Sequence, residues 1–295
     1  MPTLQAIFSE PAPAKVNLTL RILGKRADGY HDLESLVVFA RLADELTLTL
    51  DAPLGLDVVG PTAAAAGEAG DNLVLRATRE LAGRIDGLRL GRFALTKHLP
   101  VAAGIGGGSA DAAAALRLIM RVNGIARDDP NVMAAARATG ADVPVCLDPR
   151  PRVMRGIGEV LSAPLELPAL PAVLVNPRVP VPTRNVFARL GLAPGERRGE
   201  ASEIDAKRLQ NRDALIRYLA SQPNDLEPPA RALQPVIADV LAALAGSAGC
   251  LLARMSGSGA TCFGLFDTDA AAAAAAQHLS GQRPAWWVAP TVLAS

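Results

Sequence analysis

Residues Pro100-Val101-Ala102-Ala103-Gly104-Ile105-Gly106-Gly107-Gly108-Ser109-Ala110-Asp111 constrain this chain more than any other stretch. Four glycines fall between positions 104 and 108, and glycine loses more conformational freedom on folding than any other residue. A chain keeps such a loop where the backbone must approach something closely or adopt positive φ. Ahead of it, Phe93, Leu95 and Leu99 alternate with other residues and predict a strand. Behind it, Ala112–Val122 has no glycine or proline and many strong helix formers, so it predicts a helix. Strand, glycine loop and helix present bare N–H groups and a helix N-terminus, which is how a backbone holds phosphate. An ordinary tight turn before a capped helix is the plainer reading of the same residues.

The loop is not a Walker A sequence, because no Gly-Lys-Ser or Gly-Lys-Thr follows the glycines. It is also a poor dinucleotide fingerprint. Ser109 stands where the third glycine or alanine belongs, and the region about twenty residues on reads as a loop rather than a strand ending in an acid. A nucleotide phosphate held by backbone amides is the ligand these residues favour.

A chain of 295 residues can bury one large core or two modest ones. A net charge of +1 points to neither a nucleic-acid tract nor a basic membrane face, and 3% aromatic residues are too few for base-stacking platforms. Cys146, Cys250 and Cys262 lack metal-like spacing and read as buried thiols in a reducing, cytoplasmic setting. Met1–Glu10 has neither a basic start nor a long apolar core, so no secretion signal is expected, and no apolar run approaches membrane-spanning length. Lysine occurs only at positions 15, 25, 97 and 207, although Lys and Arg together number 30. Biased composition explains the arginines. A compact ammonium suits a tight site where a planar guanidinium does not.

Along the chain, Ala14–Leu23 alternates and predicts a half-buried strand, with Lys15, Asn17, Thr19 and Arg21 on its polar face. Gly24–His31 is a loop, Leu36–Leu50 is strand-like, and Asp71-Asn72 precedes a capped helix through Leu81. A shorter helix spans about Asn131–Thr139. Proline density between Pro149 and Pro182 puts a domain boundary near Leu161, giving parts 1–160 and 161–295. Gly191–Asn211 is a polar excursion. Pro228-Pro229 open a helix reaching about Ala245, Gly249–Phe266 makes two strands around Ser256-Gly257-Ser258-Gly259, Thr268–Leu279 is helical, and Trp286–Val292 is a last strand. The pattern is α+β.

Taken together the motifs resemble the galactokinase, homoserine kinase, mevalonate kinase and phosphomevalonate kinase superfamily of small-molecule kinases. Pro100–Ala110 matches its glycine- and serine-rich loop, and Met255-Ser256-Gly257-Ser258-Gly259-Ala260-Thr261 matches its C-terminal glycine motif. Pro13–Leu18, Arg26-Ala27-Asp28-Gly29-Tyr30-His31, Gly140–Pro144 and Pro180–Thr183 with Phe187 narrow the resemblance to the member acting on a cytidine-diphosphate-linked methylerythritol in the non-mevalonate isoprenoid pathway. The resemblance implies an α+β two-domain fold. Its N-terminal lobe would be like domain 2 of ribosomal protein S5 and would bind ATP. Its C-terminal lobe would be ferredoxin-like and would bind substrate, with the active site in the cleft between the lobes.

The implied reaction moves the γ-phosphoryl of ATP to a substrate hydroxyl, with Mg²⁺ bridging phosphates and protein ligands for the metal not assigned. Asp142 is the implied general base and Lys15 its catalytic partner; on the residues alone they read equally as an N-cap aspartate and a solvated strand lysine. The loop from Pro100 through Val101, Ala102, Ala103, Gly104, Ile105, Gly106, Gly107, Gly108 and Ser109 to Ala110 would hold the nucleotide, with Asn72 and Lys97 toward adenine. Asn17 and Thr183 would bind the substrate's polar part. Tyr30 and Phe187 would sandwich cytosine and His31 would read its edge. Ser109 has three readings: helix cap, phosphate contact or Mg²⁺ ligand. The chain departs from the family pattern at Ala102, Ala103, Asp111 and Arg178, where glycine, glycine, asparagine and glycine respectively are common. The rivals are a sibling kinase acting on mevalonate or homoserine, against which a stacking pair argues, and a non-catalytic nucleotide or sugar sensor, against which Lys15 with Asp142 argues. ATP and the cytidine-linked polyol are the expected partners, with no nucleic acid or membrane, and oligomeric state is not assigned.

Overall fold

The computed structural model describes residues 6–65, 72–202 and 204–294; Asp71, the first residue of the expected cap, lies outside them. The chain forms two compact units. The first comprises residues 1–14, 42–101 and 106–149, and the second 15–41, 102–105 and 150–295.

Strand β1 (Ile7–Asn17) passes from the first unit to the second, and so does the 20-residue strand β3 (His31–Leu50), in the opposite order. In the first unit the later half of β3 pairs antiparallel with β5 (Gly91–Thr96), from Glu45↔Thr96 to Leu50↔Gly91, and β4 (Gly55–Val59) lies parallel to β5. Leu46, Leu48 and Leu50 are buried between more exposed neighbours, as a strand with one solvated face requires. Helices α1 (Leu73–Ala82) and α2 (Gly107–Asn123) pack together, with α3 (Pro130–Thr139) beside them and the short α4 (Val143–Cys146) after it. Helix α2 is lined with small buried residues, Ala110 and Ala112 through Ala115, which lets its neighbours approach closely.

In the second unit the earlier half of β3 is buried from Leu33 to Ala40. It pairs with β2 (Arg21–Lys25) and with β6 (Arg152–Gly156), which in turn pairs with β7 (Val160–Leu161). The remainder carries β8 (Leu170–Asn176), β9 (Cys250–Met255), β10 (Cys262–Phe266) and β11 (Trp287–Leu293), in the spatial order β11-β8-β10-β9. All three pairings are antiparallel. Helices α5 (Thr183–Ala188), α6 (Arg212–Ser221), α7 (Glu227–Leu233) and α8 (Val236–Ala245) lie between β8 and β9 in sequence, and α9 (Asp269–Gln282) lies between β10 and β11. Helices before and after the central hairpin, with this strand order, give the expected ferredoxin-like arrangement.

Four expectations change. The strand over 14–23 is broken: β1 stops at Asn17 and β2 begins at Arg21, because the Leu18 N–H turns to the Leu36 carbonyl and the Leu20 N–H to Pro223. Lys15, Asn17 and Thr19 are buried rather than on a wet face. The helix over 228–245 is two helices, interrupted at Gln234-Pro235, where proline cannot donate to the preceding turn. The helix after the glycine loop starts at Gly107, five residues before the predicted Ala112, so two of the four glycines are helical.

Candidate active site

Lys15 and Asn17 end β1, where both are buried, at 4% and 1% exposure. The Lys15 N–H donates to the Ile105 carbonyl at 2.9 Å, tying the strand to the first half of the glycine loop. The Asn17 N–H donates to Ser256 Oγ at 3.1 Å, and Ser256 donates to the Gly104 carbonyl at 3.0 Å. The Thr261 N–H donates to the Ala103 carbonyl at 3.1 Å. Strand end, glycine loop and β9–β10 turn therefore meet at one place. The fit excludes side chains: Gly104 has φ +77°, and a Cβ there would lie 2.7 Å from the carbonyl oxygens of Gly259 and Ser256.

Asn17 Nδ2 donates to Ser35 Oγ at 2.7 Å, whereas its buried Oδ1 has no hydrogen-bond partner. An unpaired buried acceptor is costly, so Asn17 holds an acceptor ready for a ligand's donor. Thr183, at the start of α5, shares a 2.8 Å hydrogen bond with Ser258 of the same turn. One turn along α5, the Phe187 ring lies 4.9 Å from that of His31, tilted by 38°. His31 Nε2 is buried and unpartnered. Burial first, and the Lys25 charge second, hold this imidazole below its ordinary pKa and so favour its neutral form. Tyr30 beside it is 60% exposed. The substrate residues named from the sequence, Asn17, Tyr30, His31, Thr183 and Phe187, thus all lie in the second unit with Lys15.

In the first unit, Gly106 takes a left-handed conformation (φ +63°) and caps α2 with no side-chain hydrogen bond. Ser109 is therefore not the cap. A Cβ on Gly107 would find its nearest neighbour, Lys97 Nζ, at 3.6 Å, and one on Gly108 would meet Leu73 Cδ1 at 3.4 Å, both ordinary contacts. The fold does not need glycine at either position. Alanine would make the better helix. Ala102 has φ +51°, a left-handed value where the sequence leaves an ordinary alanine φ as the expectation. Arg178, another position where the resemblance leads one to expect glycine, has φ +58°.

Lys97 does not present its ammonium outward. It is 3% exposed and ion-paired to Asp44 and, at 2.7 Å, to Asp111. Asp44 also accepts the His98 and Leu99 N–H groups, at 2.5 and 2.8 Å, and so fixes the chain entering the loop. Two carboxylates share one lysine, so burial, with the Asp44 charge, outweighs Lys97 and pushes the Asp111 carboxyl up to about 7. Sequence reasoning missed Asp44, because it stands beside Glu45 and nothing local tells the buried acid from the exposed one. Asn72 caps α1 through its Oδ1, which accepts the Val74 N–H at 2.9 Å. Asp142 precedes α4, is half-buried, and makes no side-chain cap bond. It belongs to the first unit and Lys15 to the second.

Comparison with known proteins agrees with this anatomy. The family model of the GHMP kinases N terminal domain matches residues 72–148, and that of the GHMP kinases C terminal domain matches 201–283. The chain belongs to the GHMP kinase family. It is 60% identical over 285 residues, 96% of this chain and 97% of the relative, to the 4-diphosphocytidyl-2-C-methyl-D-erythritol kinase of Xanthobacter autotrophicus. Its identity to the enzyme of the same name from Methylobacterium radiotolerans is also 60%, over 97% of this chain and 99% of the relative. The crystal structure of a 4-(cytidine 5'-diphospho)-2C-methyl-D-erythritol kinase superposes with a TM-score of 0.77 at 33% identity, covering 98% of this chain and all (100%) of the other. A homoserine kinase from Cytophaga hutchinsonii shares the fold, with a TM-score of 0.70 at 21% identity over 100% of this chain and 98% of its own.

Proposed function

We propose that this chain transfers the γ-phosphoryl group of ATP to a hydroxyl of 4-diphosphocytidyl-2-C-methyl-D-erythritol. The observation that carries the substrate is the His31–Phe187 pair: an aromatic face beside an imidazole that favours its neutral form and whose buried Nε2 has no protein partner. A cytosine needs a flat neighbour and a hydrogen-bonding edge, which mevalonate and homoserine do not. In this reading Tyr30 closes over the other side of the base, and Asn17 Oδ1 and the Thr183 hydroxyl take polyol or diphosphate groups.

Residues 1–160 are read as the nucleotide-binding part and 161–295 as the substrate-binding part, with segments 15–41 and 102–105 supplying residues to the second compact unit. The amides from Gly104 to Ala110 hold the triphosphate, and the missing side chains of Gly107 and Gly108 let it approach. Asn72 and Lys97 support the adenine side, Lys97 by holding the base of the loop rather than by direct contact. Asp142 takes the proton of the attacking hydroxyl, and Lys15 offsets charge on the transferring group. Among the described residues, no group of three or more His, Cys, Asp or Glu side chains could hold a metal ion. In this reading Mg²⁺ is carried on the ATP phosphates, and the Ser109 hydroxyl, in the first turn of α2, is the protein's ligand. Bound there, the ion would neutralise phosphate charge. Among the described residues no helix is long and apolar enough to cross a membrane, and a cytoplasmic setting is proposed.

The test is ATP consumption by the purified protein with each substrate in turn. Turnover with the cytidine-linked substrate is expected. Turnover only with mevalonate or homoserine overturns the substrate assignment, and tight ATP binding with no turnover supports a sensor.

A further inference from the structure

Residues 190–202 look in sequence like a loose excursion, yet they are bonded along their length to the hairpin that carries Tyr30 and His31. The Lys25 N–H donates to the Glu196 carbonyl at 2.8 Å, the Gly195 N–H to the Lys25 carbonyl at 2.8 Å, and the Arg198 N–H to the Leu23 carbonyl at 2.8 Å. Lys25 Nζ donates to the Leu192 carbonyl at 3.2 Å. The segment thus runs along the edge of β2, with Arg197 in an antiparallel bridge to Gly24. Gly24 has to be glycine here, because a Cβ would lie 2.6 Å from the Glu196 carbonyl oxygen.

The far end is fastened by Glu34, a carboxylate only 3% exposed. Glu34 pairs in register with Arg21 on β2 and with Arg155 on β6, so the three strands place cation, anion and cation in one row. Arg21 Nη1 reaches Glu34 Oε1 at 3.1 Å, and Arg155 Nε reaches Oε2 at 2.9 Å. The Ser202 N–H donates to both carboxylate oxygens, at 3.1 and 2.9 Å. Arg155 Nη2 donates to the Ser202 carbonyl at 2.7 Å, and Arg21 Nη1 also donates to the Ser202 hydroxyl. The near end leaves α5, three residues after Phe187, where the Arg198 guanidinium holds the Leu190 carbonyl at 3.0 Å.

We infer that residues 190–202 are a strap, with Glu34 as its clasp, that fixes the His31 hairpin against Phe187, making Glu34 and Gly24 positioning residues for the base of the substrate. Phe187 sits on a six-residue helix that the Thr183–Ser258 hydrogen bond holds at its start, and His31 stands at the end of the hairpin. A segment bonded along β2 and locked by a buried two-arginine carboxylate links the two elements directly. Preorganisation of this kind acts on the binding of the group it positions and leaves distant chemistry alone.

The consequence for substrate rests on the proposed function, whereas the consequence for the rings does not. In Glu34→Gln and Gly24→Ala full-length proteins, the amides of Gly195, Arg198 and Ser202 should exchange hydrogen faster, and the His31 ring-proton shifts should move. KM for the cytidine-linked substrate should rise about tenfold, with kcat within about twofold of the parent and KM for ATP unchanged. Should Glu34→Gln fail to fold, Gly24→Ala decides alone, because it removes no buried charge. Faster strap exchange with unmoved His31 signals and unchanged substrate KM overturns the inference, as does a fall in kcat at constant KM. A parent protein inert toward the cytidine-linked substrate, with His31 shifts still moving in the variants, removes the functional reading and leaves the strap.

Discussion

Asp142 stands before α4 and makes no side-chain cap bond, so an amide of the same shape leaves the start of that helix as it is. Asp142→Asn should keep the melting temperature and ATP affinity and lose about 10²–10⁴-fold in turnover; near-normal turnover would remove it from the chemistry. Asp111 makes the opposite kind of prediction. Its folded carboxyl keeps a proton to about pH 7, whereas the ordinary value is 3.8. Between those values folding takes up a proton, so this group's contribution to stability falls as pH rises from about 4 to about 7 and stays lowest above. Asp111→Asn mimics the protonated state at every pH. Urea midpoints of parent and variant at pH 5 and pH 8 should show the variant gaining on the parent at the higher pH; an equal offset at both would mean that Lys97 keeps Asp111 ionised throughout.

At the scale of elements, the glycine loop divides by purpose. Gly104 is required by the packing, with positive φ and carbonyls where a Cβ would sit. Gly107 and Gly108 are not. Gly108→Ala should stabilise the fold by about 0.5–1 kcal/mol and raise KM for ATP, read by urea denaturation and by initial rates. A variant that gained stability and kept ATP affinity would reject the phosphate cradle. Ala102 carries the reverse strain, a side chain at φ +51°. Ala102→Gly should relieve about 1 kcal/mol, partly offset by a freer unfolded chain, and leave turnover intact. The motif was legible because phosphate loops are written in glycine; which glycines answer to packing and which to ligand was not, since the deciding neighbours, Ser256 and Gly259, lie about 150 residues away.

Across the molecule, burial raises the thiols of Cys250 and Cys262, and none of the three cysteines forms a disulfide. A thiol reagent should therefore react slowly with the native protein and with all three thiols once it is unfolded; rapid native labelling of Cys262 would contradict its buried place in β10. The α+β class could be read from alternation and caps, as at Thr268, whose hydroxyl accepts the Ala271 N–H, whereas the ferredoxin-like half followed only from the family resemblance. The break at Leu18 could not, because it depends on Leu36 and Pro223 offering carbonyls across the fold. Lys15 and Asn17 were placed on a wet face because alternation reports two faces without saying what covers each. The carboxylate cluster at Lys97 and the clasp at Glu34 were invisible for a related reason: ion pairs 14, 53 and 121 residues apart leave no local pattern.

The Ser256 hydroxyl that joins the Asn17 amide to the Gly104 carbonyl is synthesised 239 residues after Asn17. A nascent chain emerging from the ribosome therefore carries its strand end and its glycine loop long before the turn that joins them exists. Termination anywhere before Ser256 yields polypeptide without that join, so strand end and glycine loop wait for β9 and the residue that follows it.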